Sequence, residues 1–262
     1  MAEIFGFEIK RKQETKPNSQ SFTAPTAEDG VQTIMGGGHF GTYLDQEGKI
    51  HNEADLVRRY REVSIHPECD MAIEDIINEA IVVDDKQEVV RLNVNNIPFS
   101  AAVKKRIGEE FENVIRLLEF EQKGHDIFRR WYVDGRIVYH KVIDPKNVKN
   151  GITELRYIDP RKIKKVRAPK SKEGNEFAPK DPNKPGSVEF EEFYIYNEKG
   201  VQAGASSTTG LKIAKDAIAH CVSGLVDQQR NMVLSYLHKA IKPVNQLRMI
   251  EDSVVIYRIS RA

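Results

Sequence analysis

The spacing of the apolar residues changes twice along this chain, and those changes constrain the fold more than any other feature. From Glu53 to about Phe120 apolar residues recur every three or four positions, the period of an amphipathic helix. Leu56, Val57, Tyr60 and Val63 mark one such face. Met71, Ile73, Ile76, Ile77 and Ala80 mark a second, opened by Pro67, a residue well suited to a first helical turn. Val103, Ile107, Phe111, Val114, Ile115 and Leu118 mark a third, with Ser100 placed to cap it. From Arg136 to Val222 the pattern becomes short alternating runs bounded by turn formers. From Met232 it is helical again to the end. Helices first, a short-stranded sheet region next and a terminal helix last predict an α+β fold.

The strand runs are Arg136 to Ile143, Ile152 to Ile158, Ile163 to Val166, Phe190 to Tyr196, Leu211 to Ala214 and Ala217 to Val222. Asp134-Gly135 and Asp159-Pro160 read as turns between elements. The alternating stretch Glu88 to Asn95 predicts a further strand, and residues 124–134 read as helix or extended chain. Residues 168–188 are rich in Pro, Lys and Gly and predict a mobile surface loop. Residues 1–52 are dominated by polar and turn-forming residues and predict a flexible arm, because so little apolar surface cannot offset the entropy of ordering. The domain reading is therefore an arm at 1–52, an α+β domain at 53–232 and a helical segment at 233–262. Pro243 should kink or restart that last helix, since it lacks an N–H donor.

Composition narrows the function classes. The net charge is +1, so no bulk basicity points to nucleic acid. Cys69 and Cys221 lie far apart, in no metal-like spacing, and read as ordinary thiols of a reduced compartment. The N-terminus carries no long apolar run of the kind a signal peptide needs, and no window approaches a membrane span. The seven histidines show no metal spacing, and His140 and His220 sit in strand-like runs as structural residues. Gly36-Gly37-Gly38-His39 lacks the Lys-Ser/Thr ending of a phosphate loop. No nucleophile–base pair or carboxylate pair stands out, so no catalytic residue, cofactor or metal is assigned. The run Arg161 to Lys172 has seven basic residues and no acidic one. It reads as a solvated edge leading into the loop, with a DNA-binding patch as the sharper alternative. Trp131 and Tyr132 beside Arg129 and Arg130 could stack on bases but read better as core and interface residues.

The terminal helix, at about 243–261, carries most information. Pro243, Leu247, Ile250, Val254 and Tyr257 step along one stripe, and Asn245, Arg248, Glu251, Asp252 and Arg258 lie on another side. Val244, Val255 and Ile259 interrupt the polar side, and a helix apolar over that much of its girth packs against more than one neighbour. Arg248 stands within reach of Glu251 and Asp252 at i+3 and i+4.

Long strings of this sequence resemble the portal proteins of T-even-type contractile-tailed phages. They are FRRWYVDGRIVYHKVIDPK at 128–146, ELRYIDPRKIKKVR at 154–167, HCVSGLVD at 220–227 and SYLHKAIKPVNQLRMIEDSVVIYRISRA at 235–262. The resemblance implies a portal fold, with 53–232 as the wing and the helix at 243–261 as the first stem helix. It implies a dodecameric ring at one capsid vertex that nucleates head assembly and passes double-stranded DNA. Its implied partners are other copies of itself, the major capsid and scaffold proteins, the terminase large subunit, neck and tail proteins, and transiently a membrane during head assembly. The implied location is the virion, with the host cytoplasm during assembly, and no enzymatic activity is implied. The family pattern continues past Ala262 into a clip, a second stem helix and a crown, so the sequence reads as an N-terminal half. Arg248, Glu251, Asp252 and Arg258 become candidates for the channel wall or for contacts between neighbouring stems. A monomeric capsid-assembly adaptor and a DNA-processing enzyme are the competing readings.

Overall fold

The computed structural model describes residues 53–82, 89–169, 190–200, 210–227 and 232–261, with Gly30 and five two-residue strands ahead of them. Most of the predicted arm at 1–52, the glycine run within it and most of the predicted loop at 168–188 lie outside the described residues. The chain divides into two compact units, residues 1–26 with 169–190, and residues 27–168 with 191–262. In the first, β1 (Glu3–Ile4) and β2 (Phe7–Glu8) pair antiparallel. All that follows concerns the second.

That unit opens with β3 (Gln32–Thr33), β4 (Tyr43–Leu44) and β5 (Ile50–His51). Four helices follow: α1 (Glu53–Ser64), α2 (Pro67–Ala80), α3 (Ala101–Leu118) and α4 (Phe120–Asp134). The strands are β6 (Arg136–Ile143), β7 (Ile152–Ile158), β8 (Ile163–Pro169), β9 (Phe190–Tyr196), β10 (Leu211–Ala214) and β11 (Ile218–Val222). A 3-10 segment, Tyr236–Ala240, leads into α5 (Ile241–Arg261). The fold is α+β, as the periodicity predicts.

The strands form a three-stranded sheet ordered β11-β6-β7 and a four-stranded sheet ordered β10-β9-β8-β3, and β4 pairs with β5. β6 pairs antiparallel with both neighbours, Val138 facing Ile158 on one side and His220 on the other. Alternation along each strand decides what is buried. Val138, Ile163, Tyr194 and Ile218 meet in one apolar layer, joined by Ile158 and Ile213. Val166, Phe193 and Ile195 point the other way and form a second. The helices have their own core of Leu56, Tyr60, Ile73, Ile77, Val133, Met232 and Leu237.

Several expectations are corrected. Residues 89–95 form no strand, although Val90, Leu92 and Val94 keep the alternation, and Glu88 is outside the described residues. In α2 only Ile73 and Ile77 are buried, while Met71 and Ile76 are exposed. Ser100 precedes α3 without a side-chain capping bond. Of the two alternatives for residues 124–134, the helix is the one formed. Asp134-Gly135 is a helix-to-strand junction: Gly135 ends α4 at φ +71, and its N–H bonds the Trp131 carbonyl. A Cβ there would lie 2.7 Å from the Leu234 carbonyl oxygen, so only glycine fits. The chain is helical from Tyr236, not from Met232, because Val233 bridges to Val226. Of the two readings of Pro243, a kink or a restart, the second fits: the 3-10 segment gives way to α5 at Ile241, and Pro243 falls in the first turn, where its missing N–H breaks no helical bond.

One buried ion pair joins these parts. Arg136, 6% exposed, pairs with Glu53 at 2.8 Å and donates to the Val233 carbonyl at 2.6 Å. Removing it leaves a carboxylate and a carbonyl buried without their cation, a loss typically of about 3–5 kcal/mol. Arg136→Met should therefore lower stability on that scale in urea denaturation. Arg136→Met with Glu53→Leu should lose less than Arg136→Met alone, because no lone charge is left behind.

Candidate functional site

The candidate residues of the terminal helix are positioned by a rigid base. Ser235 caps the 3-10 segment, accepting from the Leu237 N–H at 3.0 Å and donating to the Tyr132 carbonyl at 3.1 Å. Tyr236 stacks on Tyr132 with ring centroids 5.0 Å apart, and Trp131 and Phe128 extend the aromatic group. His238 Nδ1 and the buried Tyr60 hydroxyl are 2.9 Å apart. Leu237 and Ile241 pack into the helical core, and Val244 is buried. These contacts set where α5 begins. Trp131 and Tyr132 join the aromatic group, while Arg129 pairs with Asp70 and Glu74, and Arg130 with Asp126.

Beyond its base α5 is bare. Over its ~30 Å length, at about 1.5 Å per residue, every residue from Asn245 to Arg261 is exposed. That includes Met249, Ile250, Val255, Ile256, Tyr257 and Ile259, each more than half exposed. Apolar residues lie around the whole girth, so no rotation of the helix hides them against one surface.

The four candidates divide. Arg248 does not pair with Glu251 or Asp252; it donates to the Glu62 carbonyl at 3.3 Å, in the last turn of α1. A cation there meets the unpaired carbonyls and the negative end of the helix dipole. Arg248 thus helps to set the angle at which α5 leaves the domain. Glu251, Asp252 and Arg258 are exposed and make no ion pair among the described residues. Three charges stand exposed on an apolar rod.

Below α5, α1 is locked to the strands by a charged cluster. Arg61 grips Asp134 at 2.9 and 2.6 Å and reaches Asp159 at 3.3 Å, and Arg161 pairs with Asp159 at 2.7 Å. Burial opposes ionisation of Asp159, but hydrogen bonds from the Arg161 side chain and N–H, with the Arg61 charge, hold it well below the usual carboxylate range. Burial and the Asp134 charge push the neighbouring Tyr157 hydroxyl up to about 12.

The basic run is corrected on the same grounds. Lys165 and Arg167 share the Ile163 face of β8 and are buried, paired with Glu192 at 3.4 and 2.6 Å. Lys215 joins them at 2.8 Å. Burial lowers the pKa of Lys164. Lys165 and Arg167 are therefore neither a solvated edge nor a DNA patch, and Arg161 is held by Asp159; Lys170 and Lys172 lie outside the described residues. Among the described residues no three His, Cys, Asp or Glu side chains gather as a metal site. None of their helices is long and apolar enough to cross a membrane.

Residues 53–262 match the family described as Bacteriophage T4-like portal protein (Gp20). The chain belongs to that portal protein family. Its relatives include the portal protein of Vibrio phage KVP40, 36% identical over 93% of this chain. Another is the portal protein of Salmonella phage ViI, 30% identical over 90%. The match covers 48% and 43% of those proteins, so the chain spans about half the length of the curated relatives it matches. The portal family match begins at Glu53, the residue that opens α1 and pairs with Arg136.

The Glu192 cluster predicts acid sensitivity in this portal chain. Burial opposes the charge on Glu192, but hydrogen bonds from Lys215 and Arg167 and the charge of Lys165 outweigh it and bring it down to about 2 from an ordinary 4.5. A carboxylate depressed on folding contributes stability that is complete above its unfolded pKa and lost as pH falls through the folded one. Unfolding free energy should therefore decline from about pH 4.5 to about 2, with Asp159 adding to the decline. Glu192→Gln should flatten the part of that slope due to Glu192, as read by denaturation at stepped pH.

Proposed function

We propose that the chain is the wing and first stem helix of a ring-forming phage portal subunit, and that the ring is the conduit for the genome. On this reading the two sheets and α1–α4 form the wing, and α5 is the stem beside a central channel. The observation that carries it is the exposure of α5. A helix with Met249, Ile250, Val255, Ile256, Tyr257 and Ile259 open on all sides needs neighbours on more than one side. A closed ring of identical subunits supplies two, one on either flank.

The charges suit a channel that passes DNA without holding it. Each phosphate neutralised by a fixed cation adds affinity and salt dependence, so a ring of uniformly basic stems would retain the duplex. Here Arg258 is offset by Glu251 and Asp252 within two turns. The same mixture also suits ion pairs between adjacent stems, and Arg248, turned toward α1, sets the stem's exit angle.

The family reading extends to a structural component of the virion without catalytic activity of its own. It nucleates head assembly in the host cytoplasm and meets capsid and scaffold proteins, terminase and neck and tail proteins in turn.

Electron cryo-microscopy of the protein carried to its relatives' full length tests the proposal. The expected result is a closed, dodecameric ring with residues 243–261 flanking a channel wide enough for duplex DNA. A compact monomer would overturn it. Arg258→Glu should leave the ring formed and reduce the DNA packaged per head. Unchanged assembly and unchanged packaging together would remove Arg258 from the channel wall.

A further inference from the structure

Helix α3 is amphipathic over eighteen residues, yet none of them is buried. Its apolar side faces a groove of about 690 Å³ whose other wall is Val90, Leu92 and Val94. These alternate residues present one face of a strand-like run, but residues 89–95 pair with no strand. Phe111, Ile115 and Phe120 line the helical wall. A methyl group on Gly108 would meet nothing within 4 Å, so the floor is open. Among the described residues the rim carries Glu112, Glu119 and Glu121 with Arg116, and Glu119 is also held by Lys123 at 2.6 Å.

A second surface has the complementary character. β10 ends the four-stranded sheet, and among the described residues no strand pairs with its outer edge. It exposes Leu211 (66%), flanked by Lys212 and by Lys215 just beyond the strand, both more than half exposed although each also contacts a carboxylate on β9. The two surfaces belong to different parts of the fold. α3 packs against β7, an edge of the three-stranded sheet, whereas β10 is an edge of the four-stranded sheet.

We propose that the groove between α3 and residues 89–95 receives β10 of a second copy of this chain. Leu211 would enter the apolar groove, the β10 edge would pair with the 89–95 backbone, and Lys212 and Lys215 would face the acidic rim. Two unlike patches make a head-to-tail contact, the type that can repeat around a ring. Strand addition gives the affinity through main-chain hydrogen bonds, and the alternating pockets give the register. The inference rests on the ring reading above and adds which surfaces of the wing meet.

The test uses full-length protein with Cys69 and Cys221 replaced by serine. Leu92→Cys and Leu211→Cys are made separately, mixed during assembly and treated with a short bis-maleimide, while mass photometry records the rings. Expected is a product of two chain masses from the mixture and none from either variant alone. Leu211→Asp, at a largely exposed position, should leave Tm unchanged and shift rings toward single subunits. Intact rings that give no mixed product, or that survive Leu211→Asp undiminished, would overturn this contact and leave the ring reading standing. Absence of rings in the unsubstituted protein would overturn both.

Discussion

The guanidinium of Arg136 is the point on which the rest of the unit depends. It sits at the first residue of β6 and reaches the first residue of α1 through Glu53 and the segment before α5 through the Val233 carbonyl. Three parts of the chain distant in sequence therefore share one buried cation. Such a charge is tolerated only when its partners are all in place, so the arrangement acts as a check on correct assembly as well as a tie. Gly30 lies against the same place, where an added Cβ would come within 2.9 Å of the Val233 side chain. Backbone, carboxylate and guanidinium are packed with no room for a larger residue.

From this junction stiffness passes outward to α5. The aromatic group around Trp131, the Ser235 cap and the Tyr60–His238 contact leave the helix little choice of direction at its base. Arg248 adds a contact to α1 one turn further on. After that its contacts are local, such as Ser253 on the Met249 carbonyl and Arg261 over the Tyr257 ring. A rod fixed at one end and bare at the other suits an element whose remaining contacts come from beyond this unit.

The sequence made the layout legible because periodicity reports which residues are covered. Leu56, Val57, Tyr60 and Val63 are all buried, and β6, β7 and β9 fall where alternation placed them. It misled where pattern and pairing part company. Val90, Leu92 and Val94 alternate like a strand, but hydrogen-bonding partners are a tertiary matter that no local pattern records. Asp134-Gly135 carries a turn signal whose meaning, the end of a helix, depends on what precedes it. The basic run looked solvated because a single sequence does not show that Glu192 stands between Lys165 and Arg167 in space. Of the candidate site, the helix and its apolar girth were legible. The turning of Arg248 toward Glu62 was not, since those residues are remote in sequence and meet only once α5 is seated on α1.

The open surface of α5 also bears on how stable this chain is at all. Ile256 and Ile259 lie far from the seated base of the helix, so whatever covers them is gained only once α5 is folded and held at that base. A cover supplied by another molecule then adds to stability by mass action and is lost on dilution, whereas one supplied by a later part of the same protein is not.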